Sequence, residues 1–385
     1  MIFIQPFSIG AMGGGSRILR SVIMGAPVQV VSICTGFLHS LPENTLCEEH
    51  LVRQRPPLGR LDRTRFAHWG SWAERACSPW FRARLRAIFR ARQPRAVHVV
   101  PHSWGDFAVA HDIAREMRVP VHASFHDDFA YTAGRHCFKP MLLEKLGVLW
   151  REAVTRFVIS EEIGEEYCRR YGRREYVIHT DGVTEVYDGA WKPPGDEVKM
   201  YFMGMMNYPY IETVRSMARA LPLLESATGR KVSFTLRTHG YAAEQGEKVN
   251  LQPCASEDVV REELKQQDLL YLPLPLGEEY EGLWRYGFST KMVSYLASGV
   301  PILYHGPAEA ASGRYLSRNE AALCVHTTDP EEIASAIAGV IGTPDRLLQI
   351  RDNALNIVVR DFDARKLRDR FWNSILDHAA ASRLS

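Results

Sequence analysis

The chain has 385 residues, 46% of them hydrophobic and 24% charged, with a formal net charge of +2. That length suggests two domains, the near-neutral balance gives no general case for nucleic acid, and no apolar run reaches the ~18 residues needed to span a bilayer. Seven scattered cysteines without a C-x-x-C spacing read as reduced thiols in a cytosolic protein and argue against structural zinc.

Residues 1–6 are predicted as an apolar strand and not a leader, because no basic segment precedes them and they run into the glycine loop 10–15. Gly13, Gly14 and Gly15 stand before a helix predicted over 17–24 and capped by Ser16, and 28–33 is the next strand. Strand, glycine loop, helix and strand in that order open a parallel α/β domain. The spacing is not G-x-G-x-x-G, so GGGSR reads equally as a flexible turn or as a loop that lets an anion or a sugar approach bare backbone. Residues 36–80, with Pro56 and Pro57, read as irregular. A basic helix over 79–92 follows, with Phe81, Leu85, Ile88 and Phe89 on its buried face and Arg82, Arg84, Arg86, Arg90 and Arg92 opposite. Those arginines form either a plain solvated face, the preferred reading, or a surface for anionic lipid headgroups.

A strand over 96–100 leads into PHSWGDF, a helix over 111–117 follows, and the strand 119–125 ends in His126, Asp127 and Asp128. The carboxyl edge of a parallel sheet is where such folds bind ligands. This trio is therefore a candidate site; the plainer reading is a structural histidine beside two acids that cap the next helix. A helix over 144–156, a strand over 156–160, a helix capped by Ser160 with Glu161 and Glu162 in its first turn, and a strand over 176–179 ending in HTDGV complete the first half. The turn at the end carries His179 and Asp181.

Residues 190–197, with Pro193, Pro194 and Gly195, are the best candidate linker. The pattern then restarts: strand 198–203, Gly204, helix 211–221, strand 232–237 ending at Arg237, helix 258–266, strand 268–273 and an acidic loop over 274–285. Two halves with the same opening order suggest two similar domains facing one cleft. The stretch 286–304, YGFSTKMVSYLASGVPILY, then reads as loop, short helix, tight stop and strand. Ser289 or Thr290 caps the helix, Met292, Tyr295 and Leu296 share its buried face, and Gly299 with Pro301 ends it. Lys291 lies in the first turn, where the helix dipole is already positive. It is either a solvated lysine or, with the hydroxyls of Ser289 and Thr290, one wall of a phosphate cradle. Helices over 331–341, 346–359 and 364–379 close the chain.

FSTK followed by SYLASGVPIL resembles the donor-binding segment of the GT-B glycosyltransferases, in particular the retaining group called family 4. The resemblance implies an α/β fold of two Rossmann-like parallel domains facing a cleft: an acceptor-side domain over 1–189, a nucleotide-sugar-binding domain over 198–360, and a last helix, 361–385, that crosses back to the first domain on Phe371, Trp372 and Ile375. It implies that Gly14, Gly15, Ser289, Thr290 and Lys291 hold the donor diphosphate. Gly204, Arg237 and Ser294 would border the nucleotide and ribose. His126, in wording like "SFH", would bind a hydroxyl of the reacting sugar, with Asp127 and Asp128 facing the acceptor hydroxyl and Arg17 an acceptor contact; His126 and Asp127 are the implied catalytic pair.

Two positions depart from the family pattern. Ser294 stands where a ribose-clamping glutamate is usual, and one serine cannot hold a diol as a carboxylate does. GMMNYPY at 204–210 lacks the usual basic pair, which leaves Lys291 as the main diphosphate cation. The implied activity is transfer of a sugar from a nucleotide-diphosphate donor to an acceptor hydroxyl, with retention, without metal and without a cofactor. The acceptor is unidentified, with lipid- or polysaccharide-linked acceptors the candidates, and the location is cytoplasmic, peripheral to the inner face of a membrane through 82–92. The alternatives are an inverting transferase or epimerase of the same fold, with its base among His126, Asp127 and Asp128, and a non-catalytic sugar-nucleotide-binding relative. A nicotinamide oxidoreductase lacks its glycine fingerprint.

Overall fold

The computed structural model describes residues 1–381 apart from 37, 39, 56–67, 135, 188 and 190, and side chains as far as 377. The prolines at 56 and 57 lie outside the described residues. The chain divides into two compact units, one made of Met1–Asp181 with Arg365–Ser385, the other of Gly182–Ala364.

The first unit is built on seven strands: β1 (Ile2–Gln5), β2 (Val31–Cys34), β3 (Glu48–Leu51), β4 (Val97–Val99), β5 (Val121–Phe125), β6 (Thr155–Val158) and β7 (Val177–Ile178). Their order in the sheet is β3-β2-β1-β4-β5-β6-β7, and every pair is parallel. β1, β2, β4, β5 and β6 are buried at every residue, as strands covered by helices on both faces must be. β3 is different: EEHL is polar and half-exposed at the sheet edge, so its sequence carries no strand signal. The region read as irregular therefore contains an edge strand, and the basic helix is longer than predicted. It runs over His68–Arg92 with Pro79 inside it. Chain order reverses between β1 and β4, so their carboxyl ends form the crevice where doubly wound sheets bind ligands.

The last helix, Ala364–Ala381, closes this unit. Phe371, Trp372 and Ile375 sit in one core with Phe3, Leu19, Val22 and Phe157. The Phe371 ring stacks on Phe157 with centroids 4.4 Å apart, and Trp372 Nε1 donates to the carbonyl of Val22 at 2.7 Å.

The second unit repeats the design with six parallel strands: β8 (Glu197–Met203), β9 (Lys231–Arg237), β10 (Asn250–Gln252), β11 (Leu269–Pro273), β12 (Ile302–His305) and β13 (Leu323–Val325). Their order is β10-β9-β8-β11-β12-β13, with the reversal between β8 and β11. The proline-rich segment predicted as a linker belongs to this unit and does not separate the two. Trp191 is buried in its core, and the Arg351 guanidinium donates to the carbonyls of Gly189 at 3.0 Å and Gly299 at 3.2 Å, pinning the segment down. Breakers there mark irregular backbone, not freedom.

Candidate functional site

The site residues of the second unit gather at the carboxyl end of β8. After Met203 the chain turns at Gly204, whose φ of +119° is open to glycine and strained for other residues. The Gly204 amide donates to the carbonyl of Arg237 at 3.0 Å. The short helix Thr290–Leu296 lies against this turn. Its Met292, Val293, Tyr295 and Leu296 are buried, and the Tyr295 hydroxyl accepts from the Met203 amide at 3.0 Å, fastening helix to strand. Gly299 ends the segment at φ +69°, as expected.

Lys291 lies across this turn. A Cβ added at Gly204 would sit 3.0 Å from Lys291 Cδ and Cε and 3.4 Å from Nζ. The ammonium is 5.8 Å from the centre of the Phe202 ring. Among the described residues it has no carboxylate, carbonyl or hydroxyl partner, although the side chain is half-buried. Burial lowers its pKa, since the charged form is penalised and nothing offsets the penalty. Ser289 caps the helix by position, with no hydrogen bond from its side chain to the first turn, and neither its hydroxyl nor that of Thr290 is engaged among the described residues. Lysine, two hydroxyls and open backbone are thus assembled within a few residues, and Ser294 is half-buried one turn further on.

Arg237 is not part of this group. Its Nε donates to Glu263 at 2.6 Å, Nη1 donates to the carbonyl of Pro253 at 2.6 Å, and Nη2 meets Gln252 and Glu263. Each guanidinium nitrogen is engaged in tying β9 to its neighbours. Its position at a strand end was legible in the sequence; its protein partners were not.

In the first unit, the loop after β1 leads into the helix Gly14–Ile23, with Gly13 at the cap at φ +156° and no side-chain cap. Ser16, expected to cap, is buried inside the helix, and its hydroxyl donates to the carbonyl of Ser8 at 2.8 Å. Gly15 faces Phe7: a Cβ there would come within 2.6 Å of the ring. The Phe7 ring stacks on His126 at 6.5 Å and 14°, and meets His102 edge-on at 6.3 Å. Gly15 and His126 are thus brought together, with Phe7 between them.

His126 is 7% exposed, and neither ring nitrogen has a hydrogen-bond partner. Burial first, then the neighbouring His102 and His179, lowers its pKa to about 3, so the imidazole is neutral. A buried neutral imidazole offers one N–H and one lone pair. Leaving them unmade costs about 1–3 kcal/mol each, which a ligand hydroxyl would recover.

The two acids after His126 part company. Asp128 is 5% exposed, accepts from the Ala130 amide as a helix cap, and pairs with Arg170 at 2.7 Å. Its carboxylate is engaged within the fold. Asp127 stays half-exposed with Oδ2 3.8 Å from His102 Nε2. Arg17, another expected acceptor contact, pairs at 2.7 Å with the fully buried Asp181 and so neutralises a carboxylate inside the fold.

Sequence reasoning quoted PHSWGDF without giving His102 a role. The ring lines a pocket of about 360 Å³ in the first unit, together with Gln54, Glu74, Ser103, Phe129 and His136. The pocket is built around a paired acid: Glu74 is 3.3 Å from His136 Nε2 and 3.5 Å from Arg55 Nε. Gln54 accepts from the Gly105 amide at 2.7 Å and donates to Ser103. Below it, Asp106 caps the π-helical turn Trp104–Val109, and burial raises its pKa to about 7. Nothing in local spacing announces this pocket, because its walls come from stretches of chain between Pro6 and Leu142 that are far apart in sequence.

Among the described residues no group of histidine, cysteine and acidic side chains is arranged to hold a metal ion. No helix among them is long and apolar enough to cross a membrane.

No protein-family model and no curated protein sequence matches the chain. Solved structures do. The fold is that of the GT-B glycosyltransferases, two parallel-sheet α/β units of seven and six strands. The chain is similar to sucrose-phosphate synthase from Thermosynechococcus elongatus, with a TM-score of 0.70, 14% identity and 99% of each chain covered. It is similar to HepE of Anabaena, solved with UDP and glucose, at a TM-score of 0.67 and 13% identity over 97% of this chain and 98% of that one. It is also similar to a UDP-forming α,α-trehalose-phosphate synthase from Burkholderia vietnamiensis, at 0.67 and 15% identity over 100% and 99%.

Proposed function

We propose that this chain is a glycosyltransferase that takes a sugar from a nucleotide-diphosphate donor, UDP-linked as the ligands and product of two of its structural neighbours are. One observation carries the reading: a half-buried ammonium, Lys291, without an anion among the described residues, laid over the open backbone of Gly204 at the reversal point of a parallel sheet. An anion there restores what burial took away, and the hydroxyls of Ser289 and Thr290 add donors. The diphosphate fits that demand in charge and shape.

The proposed reaction retains anomeric configuration. The bond from the anomeric carbon to the diphosphate oxygen breaks, the acceptor oxygen bonds to the same face, and the acceptor proton passes to the departing diphosphate. Lys291 stabilises the charge that develops on that leaving group. His126 hydrogen-bonds a hydroxyl of the transferred sugar, the use its unpartnered nitrogens invite. No step is assigned to a metal.

A second reading, inversion, is supported by His102 on the wall of the 360 Å³ pocket, with Asp127 Oδ2 3.8 Å from its Nε2. Asp127 would orient His102 as the base that takes the acceptor proton. The anomeric configuration of the product distinguishes the two readings.

The test is calorimetric titration of UDP, GDP and ADP into the full chain and into Lys291→Ala. One nucleotide binds the native chain, and the variant loses about 10- to 100-fold, the worth of a charged hydrogen bond. Absence of binding by every nucleotide, or equal affinity in the variant, overturns the donor assignment.

A further inference from the structure

The helix His68–Arg92 has two apolar faces. Phe81, Leu85 and Phe89 lie on the inner one, with exposures of 1% or less. The outer one carries Trp69, Trp72 and Trp80, exposed at 61%, 57% and 53%. Ala76, Ala83, Ala87 and Ala91, all exposed, continue the same stripe at steps of three and four residues. Trp72 meets the Phe138 ring edge-on at 4.9 Å, yet all three tryptophans stay more than half exposed, and large apolar side chains in a contiguous row mark a contact surface.

Charge says which one. The helix has six arginines and a single acid, Glu74, which is buried and paired with Arg55. Arg82, Arg86 and Arg92, three of the arginines expected to face solvent or lipid, are held in salt bridges to Glu116, Glu116 and Glu48. Those three therefore share their charge with acids at the surface. Arg75, Arg84 and Arg90 have no carboxylate partner among the described residues. The Arg84 guanidinium lies over the Trp80 ring at 5.6 Å, so a cation borders the aromatic stripe, while Arg75 lies over the buried Trp104 at 5.3 Å.

Tryptophan sits best where an apolar medium meets water, with its ring in the first and its N–H in the second. Arginines along the edge of such a row meet phosphate oxygens. We propose that the Trp69–Trp72–Trp80 face of this helix docks the protein on the surface of an anionic phospholipid bilayer, tryptophans among the headgroups and Arg84 and Arg90 on lipid phosphates. A single-stranded nucleic acid fits less well, because the apolar stripe is continuous and the arginines flank it without alternating along it. A second copy of the chain would have to match a positive margin with its own positive margin.

The proposal does not depend on the transferase reading, and nucleotide affinity measured on the same preparations keeps the two apart. The experiment is flotation of the full chain with vesicles of mixed phosphatidylglycerol and phosphatidylcholine, and with phosphatidylcholine alone. It is repeated on the triple variant Trp69→Ser, Trp72→Ser, Trp80→Ser and on the double variant Arg84→Gln, Arg90→Gln. The native chain floats with the anionic vesicles only, and its tryptophan emission shifts to the blue. The triple variant loses at least about tenfold in partitioning. The double variant weakens by about fivefold or more per arginine and loses salt sensitivity. All substituted side chains are on the surface, so unchanged nucleotide affinity and circular dichroism show that folding is intact. Failure of the native chain to bind anionic vesicles overturns the proposal, as does equal flotation of the triple variant. A tryptophan-dependent dimer, or tryptophan-dependent binding of an RNA oligonucleotide, in the absence of vesicle binding also overturns it.

Discussion

At the scale of residues, the most informative contrast is between two cations of the second unit. Arg237 is surrounded by acceptors and Lys291, among the described residues, by none. A cation whose partners are all protein groups serves the fold; one left alone in a half-buried place is the candidate for the donor anion proposed above. Arg237→Met is therefore expected to lower the melting temperature by a few degrees, as loss of about 1–2 kcal/mol would, with nucleotide affinity falling less than in Lys291→Ala. Gly204→Ala tests the same turn from the other side. Its Cβ would press on Lys291 at 3.0 Å, in a backbone conformation of φ +119° that suits glycine. The expected outcome is a loss of about 1–3 kcal/mol in stability together with weaker donor binding, read by thermal melting and titration. If Gly204→Ala binds nucleotide as the native chain does, Lys291 does not act from where it lies.

At the scale of elements, the last helix shows how remote sequence completes a unit. Phe371 packs at once on Phe3, Phe157, His98 and His179. Phe371→Ala is expected to cost about 3–5 kcal/mol. Calorimetry should show the loss, and proteolysis should open peptides of Met1–Asp181 before those of the second unit. The helical period and apolar face of this segment were legible without the structure, because helix-period patterning is local. The edge strands β3 and β10, EEHL and NLQ, were not, because a short polar strand is defined by the neighbour it pairs with. The first half of the helix His68–Arg92 was missed for another reason. Its tryptophans point outward, and an apolar row facing solvent obscures the pattern a buried face would show.

At the scale of the whole molecule, the two units differ in how many histidines burial keeps neutral, the second holding His305 at about 4. In the first, burial holds His98 well below its ordinary pKa and His126 and His179 at about 3. These rings stay neutral when folded but take up protons near pH 6.5 when unfolded. The stability they permit is present above that pH and is lost as pH falls from about 6.5 toward about 3. Asp106 works the other way: held at about 7 when folded, it adds stability as pH falls through 7. Burial lowers His102 and His111 as well, so the histidines outweigh the one acid and the net effect is a loss of stability as pH falls. Limited proteolysis between pH ~7.5 and pH ~5 should therefore cut Met1–Asp181 preferentially at the lower pH. Equal susceptibility of both units would count against neutral burial of the three rings.

What the amino-acid order determined by itself was what depends on neighbours along the chain: strands and helices of regular period, the glycine loop, the stop at Gly299, and the FSTK–SYLASG wording that led to Lys291 and Gly204 and to a fold of two parallel sheets. What the tertiary structure decided was which polar groups are already satisfied. Asp128, Arg17 and Arg237 looked as available as His126 and Lys291 in the sequence. Their partners Arg170, Asp181 and Glu263 lie 42, 164 and 26 residues away and meet them only when the sheets close. A charge is free or spent according to its surroundings in space. Spacing in the chain therefore identified candidates, and packing separated the side chains that hold the fold from those whose polar atoms have no partner among the described residues.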